Sequence, residues 1–372
     1  MRNLSLFFWL ASTSLGIAAD TRIYVSLAGE KKIAVYALAA NGELTLASSI
    51  ATSGEPGALI ADPKRRFLFA ALRSTGELCA FRIDPKSGAL SHINTVPAGE
   101  DPAHISTDKA GKFLLTAYYV AGKVTVHRIG ADGSLSKEPV DSVKTVEKAH
   151  AIVLDPLFER AAVIPHTGPN VIYVLHWQSG KFSKEEFVSN HKHETTKDTG
   201  PRHVVFHPTL HPFPRPVDLD IQLAYVANEQ GSSVTLYEYR TNGPWPIVRL
   251  EPKQTLPTLP ADFHGSNACA EIRLHPSNRF LYVSNRGHDS LAGFQVDDKT
   301  GRLTSLGQTP TEKTPRSFDI SPDGKYLYAA GEASGKLAVY RIDAESGKLE
   351  RFAAYDVGKT PWWVMAIALP EK

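Results

Sequence analysis

The sequence predicts an all-β fold, a seven-bladed β-propeller with four antiparallel strands in each blade, and three observations lead to this prediction. A Pro-led strand, a tight turn and a short aromatic strand recur along the chain, most often about 46 residues apart. Apolar side chains alternate with period two inside the copies, and helical periodicity never extends beyond a turn or two. The two ends of the chain each carry part of a copy. Short-strand repeats of this length are typical of propellers.

The second complete copy shows how one blade is built. Residues 103–107 alternate between apolar and polar side chains, and after a turn residues 113–119 form an apolar and aromatic run. Gly122 ends that run, residues 123–129 alternate again, and the hairpin signal Asp132-Gly133 precedes a fourth strand. One copy therefore supplies four antiparallel strands, which is one blade.

The two chain ends predict how the ring closes. Three strands, over 23–26, 32–37 and 44–50, precede the first complete copy, and one strand follows Pro361. The three N-terminal strands and the one C-terminal strand complete a shared blade, so no sheet edge is left free where the ring closes. With the six complete copies, this blade brings the number of blades to seven. The predicted core positions are the apolar residues of the aromatic strands: Phe67, Phe69, Phe113, Leu115, Tyr225, Phe280, Tyr282, Tyr326 and Tyr328.

Residues 1–19 have the pattern of a secretory signal peptide. Arg2 precedes an apolar stretch over 4–17, and Ala18-Ala19 resembles a small-residue cleavage site. The apolar stretch is shorter than the roughly 20 residues that span a bilayer. We therefore expect a propeller domain over 20–372 that is periplasmic or secreted and is not held at a membrane after cleavage.

Composition and missing motifs exclude several classes of function. The formal net charge is +2, with no clustered basic face for nucleic acid. Two cysteines, Cys79 and Cys269, lie in different repeats and have no spacing typical of a zinc site, so we expect neither a bridge nor a metal. No G-x-S-x-G, H-E-x-x-H or phosphate-loop motif occurs. We expect a monomer that needs no cofactor.

Three polar segments are predicted to be surface loops, and the histidines of two of them, His211 and His264, either cap the funnel or have no role. His191-Lys192-His193-Glu194 looks like a metal cluster, but its neighbours are Ser, Asn, Lys and Thr. The stretches 211–220 and 242–265 lengthen the repeat and are rich in Pro, His, Gly and Asn, so we interpret them as loop insertions.

Trp362 and Trp363 open the last innermost strand, and one of them is a candidate for the wall of a binding site.

Three columns of the aligned repeats point to a site. The first reads Gly57, Ala103, His150, Arg202, Ala270 and Arg316, and the second, one residue later, reads Ala58, His104, Ala151, His203, Glu271 and Ser317. Strand alternation predicts that in any blade only one of these two faces the central channel. A third column, at the end of the aromatic strand, reads Arg73, Tyr119, Thr167, Glu229, Arg286 and Glu332.

These columns are expected to meet at one mouth of the channel. The end of the second strand lies beside the start of the first, so all three open onto one face of the disc. A wet channel that tolerates polar side chains is the plainer interpretation. However, His104, His150, Arg202, Glu229 and Arg286 differ from copy to copy, and their cationic groups would repel one another without an anion. We therefore predict a small anionic ligand at the centre of this face.

Several strings resemble one known family. HISTDKAGKFLLTAYY, GPRHVVFHP, ANEQGSSVTLYEY, AEIRLHPSNRFLYVSNRGHDSLAGF and TPRSFDISPDGKYLYAAG are similar to sequences of seven-bladed propeller lactonases. That family includes 6-phosphogluconolactonases of the propeller type and carboxymuconate-lactonizing enzymes. The resemblance runs from about residue 23 to the C-terminus. It implies chemistry without a metal or organic cofactor, and it implies site roles for His150, Arg202, Arg286 and Glu229, with His104 as a further histidine of the site.

The expected activity is hydrolysis of a sugar-acid lactone at the central funnel. Arg202 and Arg286 are candidate clamps for a phosphate or carboxylate, and an arginine can stabilise the oxyanion. His150 is the candidate general base, with His104 as its competitor. Glu229 could hold the histidine tautomer or carry the proton. His203 and Arg316, from the same columns, are also predicted to contact substrate.

Two other functions stay open at this stage. A lactonizing enzyme that closes rings from unsaturated diacids would use the same clamps, because the site looks alike in either direction. A secreted propeller that only binds a sugar acid would also carry such a site. The signal peptide places the protein outside the cytoplasm, whereas 6-phosphogluconolactone belongs to cytoplasmic sugar metabolism. An unphosphorylated aldonolactone or a different carboxylated lactone is equally compatible with two arginines.

Overall fold

A computed structural model describes residues 20–183, 191–210, 219–242 and 247–370. In these residues the strands form seven antiparallel sheets, and each sheet packs against the next around a central axis. The seven-bladed propeller is therefore confirmed. The predicted signal peptide, 1–19, lies outside the described residues. No helix in the described residues is long and apolar enough to cross a membrane.

The two ends of the chain share one blade, as predicted. This blade has the strand order β29-β1-β2-β3. Its strands are β1 (Thr21–Leu27), β2 (Lys32–Leu38), β3 (Leu44–Ala51) and β29 (Pro361–Ala368). A 3-10 turn, Ala28–Glu30, joins β1 to β2. The closing pair is antiparallel, with Val25 opposite Val364, so the edge of β1 is covered by the other end of the chain.

The first three complete blades follow in chain order. Blade 1 contains β4 (Pro56–Ala61), β5 (Phe67–Leu72), β6 (Glu77–Ile83) and β7 (Leu90–Pro97). Blade 2 contains β8 (Pro102–Thr107), β9 (Phe113–Tyr118), β10 (Lys123–Arg128) and β11 (Asp141–Lys144). Blade 3 contains β12 (Val153–Leu154), β13 (Ala161–His166), β14 (Val171–Gln178), β15 (Lys181–Phe182) and β16 (His191–Glu194).

The remaining three blades are four-stranded. Blade 4 contains β17 (Pro201–Leu210), β18 (Leu219–Asn228), β19 (Ser233–Asn242) and β20 (Ile247–Pro257). Blade 5 contains β21 (Ala268–Leu274), β22 (Phe280–Arg286), β23 (Ser290–Val296) and β24 (Leu303–Pro310). Blade 6 contains β25 (Pro315–Ile320), β26 (Tyr326–Gly331), β27 (Lys336–Ile342) and β28 (Leu349–Asp356). The blade with both chain ends is blade 7.

Two of the predicted surface loops are wrong. His191–Glu194 is strand β16, which pairs with the first half of β14, while the two-residue β15 pairs with the second half. The two short strands together cover the edge of β14, whose backbone groups would otherwise lack partners. Half of 242–265 is also not a loop, because Asn242 ends β19 and Ile247–Pro257 pairs along the whole of β19. The first insertion, 211–218, lies outside the described residues; Leu219 and Asp220 already belong to β18.

The core lies between neighbouring blades. Eight of the nine predicted core residues are buried, and the exception is Tyr326, which is half-buried at the start of β26 beside Phe352. Tyrosine hydroxyls tie blades together at the face away from the strand starts. Tyr24, Tyr225 and Tyr282 each donate to the carbonyl of a hairpin glycine in the next blade, at 2.7 to 2.8 Å. Both cysteines are buried and free.

Candidate functional site

A backbone irregularity recurs at the start of the innermost strands. In β17, Pro201 pairs with Asn228 and His203 with Ala227, so Arg202 is one extra residue in the ladder. The same one-residue shift occurs at the start of β4, β8, β21, β25 and β29. A β-bulge turns its extra side chain away from the regular alternation. The prediction that only one of two successive residues faces the axis is therefore wrong, because these bulges let both do so.

The bulges create two layers of side chains around the axis. We call the first the mouth ring: Gly57, Ala103, His150, Arg202, Ala270, Arg316 and Trp362. The second, one residue further along each repeat, is the floor ring: Ala58, His104, Ala151, His203, Glu271, Ser317 and Trp363. Six mouth-ring residues, together with Ala58, Arg73 and Trp363, line a narrow central recess that is open to solvent. Its cavity volume is about 10 Å³, which is room for about one water molecule.

One side of the site holds two arginines around one carboxylate. Arg286 Nη2 donates to Glu229 Oε1 at 2.7 Å, and Arg202 Nε lies 3.4 Å from Glu229 Oε2. Burial alone would raise the pKa of Glu229, but the charges of Arg202 and Arg286 outweigh it and lower this pKa. Burial and then the charge of Arg286 lower the pKa of Arg202 to about 9. At neutral pH this group therefore carries two positive charges and one negative charge.

A second arginine pair surrounds Trp362. The guanidinium carbons of Arg73 and Arg316 lie 5.6 and 5.0 Å from its ring centroid, within cation–π distance. Glu332 accepts a hydrogen bond from the Trp362 indole at 2.9 Å and one from Arg316 at 3.4 Å. Arg73 forms a two-point ion pair with Asp101, at 2.5 and 2.7 Å. Trp362 is thus held in place and forms part of the wall.

Three aromatic rings of the floor ring meet across the axis. His104, His203 and Trp363 come from blades 2, 4 and 7, and their ring centroids are 5.4 to 5.9 Å apart. Rings from blades on different sides of the disc can approach so closely only where they close the central channel. Burial is the main cause that lowers the pKa of His104 to about 3 and that of His203 to about 4. Both rings are neutral at pH 7.

His150 belongs to the mouth ring and differs from the floor histidines. Its ring lies 5.5 Å from Tyr119 and 5.1 Å from His203. Its buried Nδ1 has no hydrogen-bond partner among the described residues. Burial, and next the charge of Arg202, lowers its pKa well below the ordinary histidine value. The recess therefore contains a neutral imidazole with an unused ring nitrogen.

The structure brings the predicted site residues together at one face, in different layers. His150, Arg202 and Arg316 line the recess. Arg286 and Glu229 flank Arg202, whereas His104 and His203 belong to the floor. Sequence reasoning did not select Arg73, although it occupies the same column as Glu229 and Arg286. It left Trp362 undecided, since packing between blades is the commoner position for tryptophan.

The described residues contain no group of three or more His, Cys, Asp or Glu side chains arranged for a metal ion. His264 is exposed in the segment between blades 4 and 5, and His211 lies outside the described residues. The charged and titratable side chains that line the recess are Arg73, His150, Arg202 and Arg316.

Known proteins resemble this chain over nearly its whole length. A 6-phosphogluconolactonase from Pectobacterium carotovorum is 33% identical over 93% of this chain and 98% of its own length. One from an Enterobacter species is 32% identical over the same shares of both chains. A solved structure, the periplasmic gluconolactonase of Pseudomonas aeruginosa, superposes with a TM-score of 0.81 at 25% identity, covering 94% of this chain and 99% of that one.

The profile of the family described as "Lactonase, 7-bladed beta-propeller" matches residues 17–366. This match includes every blade and all residues of the mouth and floor rings. The protein therefore belongs to the seven-bladed β-propeller lactonase family.

Proposed function

We propose that this protein hydrolyses the ring ester of a sugar-acid lactone in the central recess, using its own side chains without a metal ion. The observation that carries this proposal is that Arg202, whose buried Nε has no hydrogen-bond partner among the described residues, lines one recess together with the neutral, unpartnered imidazole of His150. Family membership and the activities named for the relatives support the same reaction class.

The charges around the recess favour an anionic ligand. Four guanidinium groups, those of Arg73, Arg202, Arg286 and Arg316, face three paired carboxylates, those of Asp101, Glu229 and Glu332. The buried Nε atoms of Arg202 and Arg286 have no hydrogen-bond partner in the described part of the chain. Unpaired buried donors are costly, so a ligand that accepts from them is strongly favoured. A phosphate, carboxylate or developing oxyanion has that chemistry.

His150 is the best placed of the three histidines to act as general base. The Nδ1 atom of His104 accepts the backbone N–H of Ile152 at 3.4 Å, which occupies the lone pair of that neutral ring. Both ring nitrogens of His203 are within hydrogen-bond distance of other side chains. Only His150 combines a place in the recess wall with an unpartnered nitrogen. A neutral imidazole can accept a proton from water at pH 7.

The reaction then needs two proton transfers. Water attacks the carbonyl carbon of the lactone while His150 removes a proton from it, and the carbonyl oxygen becomes an oxyanion beside Arg202. The tetrahedral intermediate collapses, the bond from the carbonyl carbon to the ring oxygen breaks, and the ring oxygen takes the proton from His150. The product is the open hydroxy acid, which releases one proton to solvent.

Glu229 and Arg286 support this arrangement from the side. The contacts of Glu229 are to Arg202 and Arg286. We therefore assign Glu229 to holding the two guanidinium groups together, in place of a role in setting a histidine tautomer or carrying a proton. Its lowered pKa keeps it ionised, which suits a counter-ion and not a proton donor.

We further propose that residues 1–19 are a secretory leader and that residues 20–372 act as a monomer in the periplasm or outside the cell. The periplasmic location named for the Pseudomonas relative supports this. The phosphorylated substrate named for the bacterial relatives and an unphosphorylated aldonolactone both match two arginine pairs. N-terminal sequencing of the exported protein should begin at Asp20, and size-exclusion chromatography should give one chain.

The activity is tested with purified residues 20–372. Glucono-δ-lactone, its 6-phosphate and a carboxymuconate are supplied in turn, and acid release or diacid consumption is followed. We expect hydrolysis of at least one sugar lactone above the spontaneous rate. Arg202→Ala should lower kcat by about 100-fold or more, because one oxyanion donor is typically worth that much.

Arg302→Ala is the matched control, because Arg302 is exposed in the β23–β24 hairpin, at the face opposite the strand starts. Its activity should equal that of the parent. Turnover of carboxymuconate alone would establish the lactonizing enzyme instead. Binding of a sugar acid without any turnover would establish a binding module.

A further inference from the structure

We propose that His203 is a positioning residue that fixes the guanidinium of Arg202, and that the buried carboxylate of Glu271 sets the His203 tautomer that makes this possible. The inference rests on the proposed function, in which Arg202 stabilises the oxyanion. It replaces the expectation that His203 binds substrate directly.

The bulge in β17 makes the interaction possible. Arg202 is the extra residue between Pro201 and His203, so two consecutive side chains both turn toward the axis. Arg202 Nη1 lies 3.2 Å from His203 Nε2 and donates to the carbonyl oxygen of Ala270 at 2.5 Å. Arg202 is only 2% exposed and His203 only 3%, so water does not compete freely for these groups.

Only one tautomer of neutral His203 satisfies both of its neighbours. Its Nδ1 lies 2.9 Å from Glu271 Oε1, and an ionised carboxylate can only accept, so Nδ1 must carry the proton. Nε2 then has a lone pair, and it faces an arginine that can only donate. In the other tautomer an N–H would face the guanidinium and a lone pair would face the carboxylate. Two favourable contacts would become two repulsive ones.

Glu271 is itself held firmly. It is fully buried, and its Oε1 accepts from Arg273 Nη1 at 2.9 Å and from the backbone N–H of Ile272 at 3.0 Å. Burial alone would raise the pKa of Glu271, but the charge of Arg273 and the contact with His203 lower it to about 2. Arg273 also pairs with Asp319 of blade 6 at 3.2 Å. The position of His203 therefore depends on contacts that reach across blades 4, 5 and 6.

The consequence for Arg202 is a defined orientation. All of its hydrogen bonds to described residues use Nη1, and Nε lies against Glu229 without a hydrogen bond. Nη2 and the unpaired Nε are left for the ligand. Without His203, Nη1 would keep only the Ala270 carbonyl, and the guanidinium could shift between that hydrogen bond and the longer contact of Nε with Glu229. Small misplacements of this kind are costly in a reaction that depends on alignment.

A double-mutant cycle tests the proposal. His203→Leu is made in the parent and in Arg202→Ala, and kcat and KM are measured with the lactone that the parent hydrolyses. In the parent, His203→Leu should lower kcat by about 10- to 100-fold. In Arg202→Ala, the same substitution should lower kcat less than about twofold, because a residue that acts through Arg202 has nothing left to position. Equal losses in both backgrounds would overturn the proposal.

Two further variants separate positioning from packing. His203→Gln keeps an acceptor within reach of Arg202, so it should recover most of the kcat that His203→Leu loses. A glutamine variant as slow as the leucine variant, with an unchanged melting temperature, would also count against the proposal. His127→Leu, a buried histidine in β10 outside both rings, is the matched control and should leave kcat unchanged.

A measurement without turnover keeps this inference separate from the proposed function. In protein labelled with ¹⁵N-histidine, the His203 signals are those that disappear in His203→Gln. At pH 7 they should show a neutral ring protonated at Nδ1. The opposite tautomer or an imidazolium would overturn the inference even if lactones are hydrolysed. A parent that hydrolyses no lactone but shows the expected tautomer would overturn only the proposed function.

Discussion

The mouth ring and the floor ring lie one residue apart in each repeat, yet their polar groups are satisfied to different degrees. In the floor ring, both ring nitrogens of His203 have partners, Nδ1 of His104 and Ser317 Oγ each accept a backbone N–H, and only Oε2 of Glu271 is buried without a partner among the described residues. In the mouth ring, Nδ1 of His150 and Nε of Arg202 are buried without a hydrogen-bond partner among the described residues, and both residues line the recess. Buried polar groups are normally paired, so the layer whose unpaired residues line the recess is the one that a ligand completes.

This difference shows how a repeated scaffold makes an asymmetric site. The bulge supplies one re-aimed side chain per blade, and the next residue stays available to hold it from behind. A layer that binds and a layer that positions thus arise from consecutive residues. Substitutions in the two rings should therefore have different consequences for activity and stability.

The largest expected effect is the loss of the general base. His150→Ala should lower kcat by about 10²- to 10⁴-fold, because the attacking water loses its proton acceptor. His104→Ala, in the floor ring, should lower kcat less than about tenfold while it lowers the melting temperature. Steady-state kinetics on both variants, together with circular dichroism to verify folding, decides between them. A loss in His104→Ala as large as in His150→Ala would remove the division between the rings.

The second effect concerns substrate charge. Arg316→Gln should raise KM for the 6-phosphate of glucono-δ-lactone by about tenfold, since one charge-assisted contact of roughly 1.4 kcal/mol is lost. KM for glucono-δ-lactone itself should change by less than twofold, because that substrate has no anionic group for Arg316 to bind. The measurement is the ratio of KM for the 6-phosphate to KM for the unphosphorylated lactone, determined in Arg316→Gln and in the control variant Arg302→Ala. An equal rise for both substrates would show that Arg316 shapes the recess and does not recognise an anion.

The third effect is a pH shift on binding. After burial, the charge of Arg202 is the largest cause that lowers the pKa of His150, and Arg316 and Arg73 contribute as well. A bound anion offsets these charges, so the pKa of His150 should rise in the complex. The base must be neutral to act, so activity falls as the pH drops through this pKa. We therefore expect the acidic limb of kcat, which reports the complex, at a higher pH than that of kcat/KM, which reports the free enzyme.

An acidic limb of kcat at or below that of kcat/KM would contradict the role of arginine charge in the mouth ring. The same measurement on Arg316→Gln should bring the two limbs closer together, because one of the charges that a bound anion offsets is already absent.

Most of the fold could be predicted from the sequence because its determinants are local. Asp62 and Asp108 each accept two backbone N–H groups of the turn that follows them, so the repeat is visible as a recurring residue at a fixed spacing. Strand β16 could not be predicted in the same way. Its partner, the exposed half-edge of β14, is available only because β15 is two residues long, and that is a property of the assembled sheet.

The site could be predicted by column but not by layer. The charged columns identified His150, Arg202 and Arg286, since an irregular charge at a regular position is visible in an alignment of repeats. The expectation that only one of two successive residues faces the channel was wrong, because the extra residue of each bulge is recognisable only from the pairing of two strands. Arg73 was passed over for a related reason: its contact with Trp362 joins blade 1 to blade 7 across the seam.

The smallest expected effect concerns His127, and it tests whether a buried side chain without a hydrogen-bond partner is enough to indicate a ligand-binding site. His127 in β10 is 1% exposed, and neither ring nitrogen has a hydrogen-bond partner among the described residues. It does not line the central recess and lies outside both rings. Burial, with a smaller contribution from the charge of Lys123, lowers its pKa to about 4. Because no ligand pairs with its ring nitrogens, His127 should destabilise the folded protein at low pH and have no effect on activity.

The direction of the pH dependence of stability follows from proton binding to His127 in the folded and unfolded states. Between about pH 6.5 and pH 4 the unfolded chain binds a proton at His127 and the folded chain does not, so stability falls as the pH drops. His127→Leu removes that one proton, worth about 1.4 kcal/mol per pH unit, while the other buried histidines titrate as before. Urea unfolding at pH 7 and pH 5 should therefore show the parent losing on the order of 2 kcal/mol more than the variant. Equal losses of unfolding free energy in parent and variant would mean that His127 has a partner in the folded chain. An unpaired nitrogen in this structure would then be weaker evidence for a ligand at the mouth ring.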